Sequence, residues 1–135
     1  MNYKQKQAVY AIKDQYRNQK YCWGKFDCNT FIADCHDAAY NTNTAAQIRH
    51  HYHSRSQAAR FAKTYLSHSQ WLYTRGYRPC TDTGYEFGDI YALPHKYFTT
   101  GYIVVDGLAY SMSEDYGFVG VDPTSWTTDV EHWRK

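Results

Sequence analysis

The apolar residues of this chain change their spacing near residue 69, and that change limits the folds open to it. Before it, apolar side chains recur at intervals of three and four, the period of a helix; beyond it they fall in short β-rich runs. From Lys4 to Asn18 the positions Ala8, Val9, Ile12 and Tyr16 make one amphipathic stripe. Asp27 is a good N-cap, and Phe31, Ile32, Cys35 and Ala39 carry a second helix to about Tyr40. A polar stretch from Asn41 to Thr44 leads to a short helical piece at Ala45 to Arg49. Ser54 or Ser56 then starts another helix, reaching about Leu66 through Ala58, Phe61, Ala62 and Tyr65. The strand candidates are Trp71 to Tyr73, Asp89 to Leu93, Tyr102 to Val105, Leu108 to Met112 and Phe118 to Val121. Asp106-Gly107 between two of them is a two-residue hairpin signal. The order predicts an α+β fold, with N-terminal helices packed on a C-terminal antiparallel β-sheet and one helix laid across it. At 135 residues, with no repeat, low-complexity segment or Pro/Gly linker, residues 1–135 read as a single domain.

Composition narrows the functions. Acids and bases are interspersed at a formal net charge of +2, so no dense positive face for a phosphate backbone stands out, and nucleic acid is excluded as a partner. No apolar run of membrane-spanning length exists, and no apolar signal core follows Met1-Asn2-Tyr3-Lys4. The chain is therefore expected to have no membrane insertion and no signal peptide, and to be made in a cytoplasm. Its four cysteines, Cys22, Cys28, Cys35 and Cys80, read as free thiols of a reducing compartment, and their spacing forms no CxxC pair. Tyr 15, Phe 6 and Trp 4 make 19% of the residues in a chain of mean hydropathy -0.76. Rings in such number serve either as half-buried contact surface for other proteins or as a tyrosine-rich core with polar exits for the hydroxyls.

The segment that carries chemistry is Trp23-Gly24-Lys25-Phe26-Asp27-Cys28-Asn29-Thr30-Phe31. Cys28 falls in the first turn of a helix, where unpaired N–H groups and the positive dipole end favour thiolate. A buried inert cysteine is the plainer alternative. Asp27 reads as the N-cap rather than as an acid, since a negative charge beside the thiol raises its pKa. Trp23 either walls the thiol or plugs the core below the helix.

Trp-Gly-x-x-Asp-Cys opening a helix, followed by Gly88-Asp89 at a strand start, is similar to the NlpC/p60 cysteine peptidases. The resemblance implies a papain-like fold with a cysteine helix set against an antiparallel sheet that carries the histidine. Over nearly the whole length the chain also resembles a family of small proteins encoded among phage tail genes. The matching stretches there are Tyr52-His53-Ser54, Gly88-Asp89, Gly117-Phe118-Val119 and Trp133-Arg134. In the peptidases a histidine opens the strand after Gly-Asp and acts as base toward the thiol. Aligning Gly101-Tyr102-Ile103 with that strand puts Thr99 at the histidine position. The nearest substitute is His95, beside Pro94, so Cys28 and His95 are the candidate catalytic residues. His50, His51 and His53 read as a solvated polar loop rather than, with Cys35-His36 on the helix before them, as a metal site, and neither metal nor other cofactor is expected.

Three readings follow from the resemblance. The first is a component of the phage tail tip or hub, in the virion, used in tail assembly or cell-wall penetration with degraded catalytic machinery. The second is an active cysteine peptidase cleaving peptidoglycan stem peptides, with Cys28 as nucleophile. The third is a structural plug that keeps the cleft as a packing surface. Thr99 favours the structural readings over the enzymatic one. The expected partners are other phage tail proteins and peptidoglycan, with the charged end Glu131 to Lys135 as part of the protein contact.

Overall fold

The computed structural model describes residues 1–96, 98–126 and 129–135. Four helices come first: α1 (Tyr3–Arg17), α2 (Cys28–Tyr40), α3 (Arg55–Thr64) and α4 (His68–Thr74), with a 3-10 turn at Ala45–Gln47 between α2 and α3. Six strands follow: β1 (Arg78–Pro79), β2 (Ile90–Pro94), β3 (Thr99–Val105), β4 (Leu108–Ser113), β5 (Gly117–Val121) and β6 (Glu131–Arg134). They form one antiparallel sheet in the order β1-β6-β2-β3-β4-β5. The fold is α+β, helices first and sheet second, as the change of period predicts.

Each helix starts where a side chain can take up its free amides. Asn2 caps α1 through Gln5, Asp27 caps α2 through Thr30 and Ser67 caps α4 through Gln70, each as a reciprocal box. Ser54, not Ser56, caps α3. The α2 stripe of Phe31, Ile32, Cys35 and Ala39 is buried and packs on β3 and β4, while α1 packs against α2 through Val9 and Tyr16. Burying a ring such as Phe31 stabilises the fold by about 2–3 kcal/mol. The hairpin at Asp106-Gly107 forms with φ of +50° and +87°, the positive pair that a type I′ turn requires, and Val105 pairs with Leu108.

One segment differs from the sequence reading, and a second received no secondary structure from it. Trp71-Leu72-Tyr73 lies in α4 rather than in a strand: Trp71 and Leu72 turn inward together, and Trp71 meets His36 edge-on. The charged end at Glu131 to Lys135 is largely β6, an inner strand between β1 and β2, with Trp133 buried. Its Arg134 and His132 side chains are held by Asp89, which is 1% exposed. Arg134 grips that carboxylate with Nε and Nη2, both at 2.9 Å, and His132 Nε2 lies 2.7 Å from it. Gly88-Asp89 and Trp133-Arg134, far apart in sequence, are thus the two halves of one clamp.

The tyrosines divide between core and surface. Tyr16, Tyr52 and Tyr77 are fully buried, whereas Tyr3, Tyr73 and Tyr116 stand exposed. On the sheet face away from α2, Tyr91 and Val104 are covered by Tyr85, Trp126 and Val130. Among the described residues no helix is long and apolar enough to cross a membrane.

Candidate functional site

The start of α2 is fixed by one carboxylate. Asp27 Oδ1 accepts from the Thr30 amide at 2.9 Å, and Oδ2 accepts from the Gly24 amide at 2.8 Å and the Tyr52 hydroxyl at 2.7 Å. Gly24 sits at φ +77°, and a Cβ there would lie 2.0 Å from the Tyr52 carbonyl oxygen, so only glycine allows the two loops to meet. Trp-Gly-x-x-Asp-Cys and Tyr-x-Ser therefore form a single cradle. Asp27 is a cap and a hub for neutral donors.

Cys28 is the first residue of α2 and is 7% exposed. Its Sγ lies 3.9 Å from Asn29 Oδ1. Burial, with the Asp27 carboxylate second, pushes the thiol up to about 12; the backbone amides of Gly101, Cys28 and Asn29 pull the other way and lose. The helix start is where the sequence places it, but the expected preparation of a thiolate is outweighed by desolvation, and the resting group is a protonated thiol at neutral pH.

Across from the thiol, β3 and β4 part. Their register runs from Val105↔Leu108 to Ile103↔Tyr110 and ends there. At Gly101, the next position on that face, the carbonyl accepts from the Ser111 hydroxyl at 2.7 Å, and the amide is turned toward Cys28. The parting opens a cleft of about 900 Å³ between α3 and α4 on one side and β3 and β4 on the other, with Cys28 in its lining. Trp23, half-buried and edge-on to Tyr21, walls it with Tyr52, Phe61 and Met112.

The sequence candidates fall at different depths of this cleft. Thr99 shares the strand face of Gly101 and Ile103 and lines the cleft. His95 lies in the turn after β2, exposed at the rim, with its ring stacked 4.8 Å from Phe98 and its amide bonded to the Phe98 carbonyl at 2.7 Å. His51 lies tilted against Phe61, with ring centroids 5.4 Å apart, and His50 and His53 are exposed.

The residue that sequence reasoning missed is His68. It is the first residue of α4, lines the cleft, and fills the space left by the missing side chain of Gly101: a Cβ there would lie 2.9 Å from His68 Nε2. Nδ1 is sealed from solvent with no hydrogen-bond partner, and burial lowers the imidazole to about 4. The signal was present: Ser67-His68-Ser69-Gln70 before Trp71-Leu72 is a capping box before an apolar pair, which marks a helix start and puts His68 in its first turn.

Compared with known proteins, residues 2–133 match the family model described as "Domain of unknown function (DUF6950)". No curated protein matches the chain.

Proposed function

The chain belongs to the DUF6950 family, and we propose that it is a phage tail component of NlpC/p60-like build whose cleft over Cys28 holds a peptide, in tail assembly or in penetration of the cell wall. The observation that carries this reading is the cleft itself: a cysteine at a helix start, facing an antiparallel sheet, at the floor of an aromatic-walled opening of about 900 Å³. That volume suits a short peptide, and apolar walls with few polar groups suit recognition of its side chains. The motif order that resembles the phage tail family supports the placement in a virion. Thr99 at the strand position of the base and a thiol held protonated speak against catalysis by the peptidases' own route.

Tail proteins and peptidoglycan stem peptides are the two candidate occupants, and two measurements separate them. The purified chain is titrated with a soluble stem peptide while Trp23 and Trp71 fluorescence is followed, and tail-hub fragments are tested for retention on the immobilised chain. Thr99→Trp, which fills the opening, is expected to abolish whichever binding occurs. If neither occupant binds, or if Thr99→Trp binds as well as wild type, the proposed use of the cleft fails.

A second reading, an active cysteine peptidase, is favoured by one specific observation, the Gly101 amide turned toward the sulfur. In such a site, amides at the thiol receive the negative charge that develops on a carbonyl oxygen.

A further inference from the structure

We infer that His68, brought in by α4 rather than by the sheet, is the base that serves Cys28, so that the cleft carries out thiol acyl transfer through a Cys28–His68 pair. The inference rests on the cleft being a site, as proposed above, but not on which peptide fills it.

Four observations point to the pair. Gly101 is the common neighbour: its amide is turned to Cys28, and His68 Nε2 occupies the space where its side chain would be. The position opposite the thiol is therefore left empty by the strand and filled by an imidazole from the helix. Second, Nδ1 is buried without a partner. An unpaired polar atom in the interior is unfavourable, and an apolar ring or Met would pack the same space without that penalty, so packing alone does not account for a histidine here. Third, His68 stands in the first turn of α4, where the helix dipole disfavours imidazolium, and its burial acts in the same sense. The ring is neutral at rest, with the proton on Nδ1 when Nε2 is the acceptor. Fourth, the thiol is also neutral at rest. The pair is thus set up for general-base transfer during attack and not for a standing ion pair.

The step balances within the site and its substrate. As Sγ attacks a carbonyl carbon, the S–C bond forms and the thiol proton passes to His68 Nε2. The C–N bond of a peptide then breaks, and the leaving amine takes that proton. Water hydrolyses the thioester, returning the thiol and releasing a carboxylic acid. The charged or titratable groups that share the cleft with His68 are Cys28 on α2, Arg55 and Lys63 on α3, Glu114 and Asp115 after β4, His95 at the rim, and the phenols of Tyr21, Tyr52, Tyr65 and Tyr102.

The experiment uses the full chain and p-nitrophenyl acetate, a small activated ester that needs no peptide subsite. Wild type is expected to release a burst of nitrophenolate with one acetyl group on Cys28 by mass spectrometry, at a rate flat between about pH 5 and 8, because the base titrates below that range. His68→Gln is expected to lose at least tenfold in rate at pH 6 and to rise about tenfold per pH unit, as only preformed thiolate then reacts. Gly101→Ala, which keeps both side chains but drives a methyl against the imidazole, is expected to show the same slope. His68→Gln and Gly101→Ala are read only on folded protein, judged by circular dichroism. A wild-type profile that climbs with pH like free cysteine overturns the inference, as does a flat profile retained by both variants. Loss in His95→Gln instead would assign the base to the rim histidine. Failure to bind stem peptide or hub protein, with the ester profile as expected, would leave the pair standing and remove only the proposed occupants.

Discussion

Asp27 and Asp89 are both 1% exposed, and each is reached through a glycine at positive φ, +77° at Gly24 and +90° at Gly88, yet they hold the fold in different ways. Asp27 collects neutral donors, two amides and the Tyr52 hydroxyl, around the start of α2. Asp89 collects the Glu86 amide together with the guanidinium of Arg134 and the ring of His132 from β6. At the first, direction matters: three donors must converge on one carboxylate beneath the thiol. At the second, charge matters, because the acceptor fixes the Arg134 guanidinium inside the sheet.

The sharpest break of this comparison is Asp27→Ala. The variant loses a helix cap, worth about 1 kcal/mol, and strands the Gly24 amide and Tyr52 hydroxyl, each costing about 1–3 kcal/mol when left buried and unpaired. Urea unfolding is expected to show a loss of about 3–7 kcal/mol. A loss near 1 kcal/mol would mean that Gly24 and Tyr52 find other acceptors, and that the cradle is only a cap.

Next in size is Gly24→Ala. A non-glycine residue at φ +77° is strained, and its Cβ would press on the Tyr52 carbonyl oxygen, which is backbone and cannot swing aside. The expected loss is about 2–4 kcal/mol by the same unfolding measurement. Because Tyr52 walls the cleft, the variant is also expected to bind peptide less well.

Asp89→Asn tests the charge side of the comparison and is expected to cost less than Asp27→Ala, since Arg134 keeps Asp82 as a second partner. Burial raises the Asp89 carboxyl, but hydrogen bonds from Arg134, the Glu86 amide and His132 hold it below the usual value. A carboxyl depressed in the folded state contributes stability above its unfolded value, about 3.9, and that contribution is lost as pH falls through the folded value. The gap in urea midpoint between wild type and Asp89→Asn should be full at pH 6 and shrink below about pH 4. A gap that does not change with pH would place the contribution in shape and not in charge.

The two aspartate sites also show what a sequence yields. Asp27 was legible because its cap, its helix stripe and its motif lie within a dozen residues, so local rules suffice. The Asp106-Gly107 hairpin was legible for the same reason. Gly88-Asp89 was visible as a motif, but its purpose was not, since Arg134 and His132 meet it only once β6 is in the sheet. β6 itself escaped because Glu131-His132-Trp133-Arg134 has a single apolar residue, and its strand state comes from pairing with β1 and β2. Trp71-Leu72-Tyr73 escaped because so short a run satisfies either period; the Ser67–Gln70 box and burial against His36 decide for a helix. That one misreading also hid His68, which as a loop residue had no reason to face Gly101. Cys28 could be read from the chain, whereas its neighbour across the cleft could not.

The smallest effect belongs to Gly88→Ala, and it sharpens the contrast with Gly24. Both glycines have positive φ, so both variants carry the strain of a left-handed backbone, about 1–2 kcal/mol. What the new methyl meets differs. At Gly24 it meets a carbonyl of the partner loop, whereas at Gly88 it comes 2.8 Å from the Cε of Met1, the far end of a flexible side chain at the amino terminus. Met1 can turn away at little cost, so Gly88→Ala should lose only the backbone strain, about 1–2 kcal/mol, and leave the Asp89 clamp intact. Two measurements check it: the urea midpoint, and the midpoint gap between Gly88→Ala and Gly88→Ala/Asp89→Asn, which should match the gap seen in the wild-type background. Equal losses at the two glycines would show that backbone conformation alone sets their identity; a larger loss at Gly24 would show that the close approach of the Tyr52 loop, which walls the cleft, sets it there.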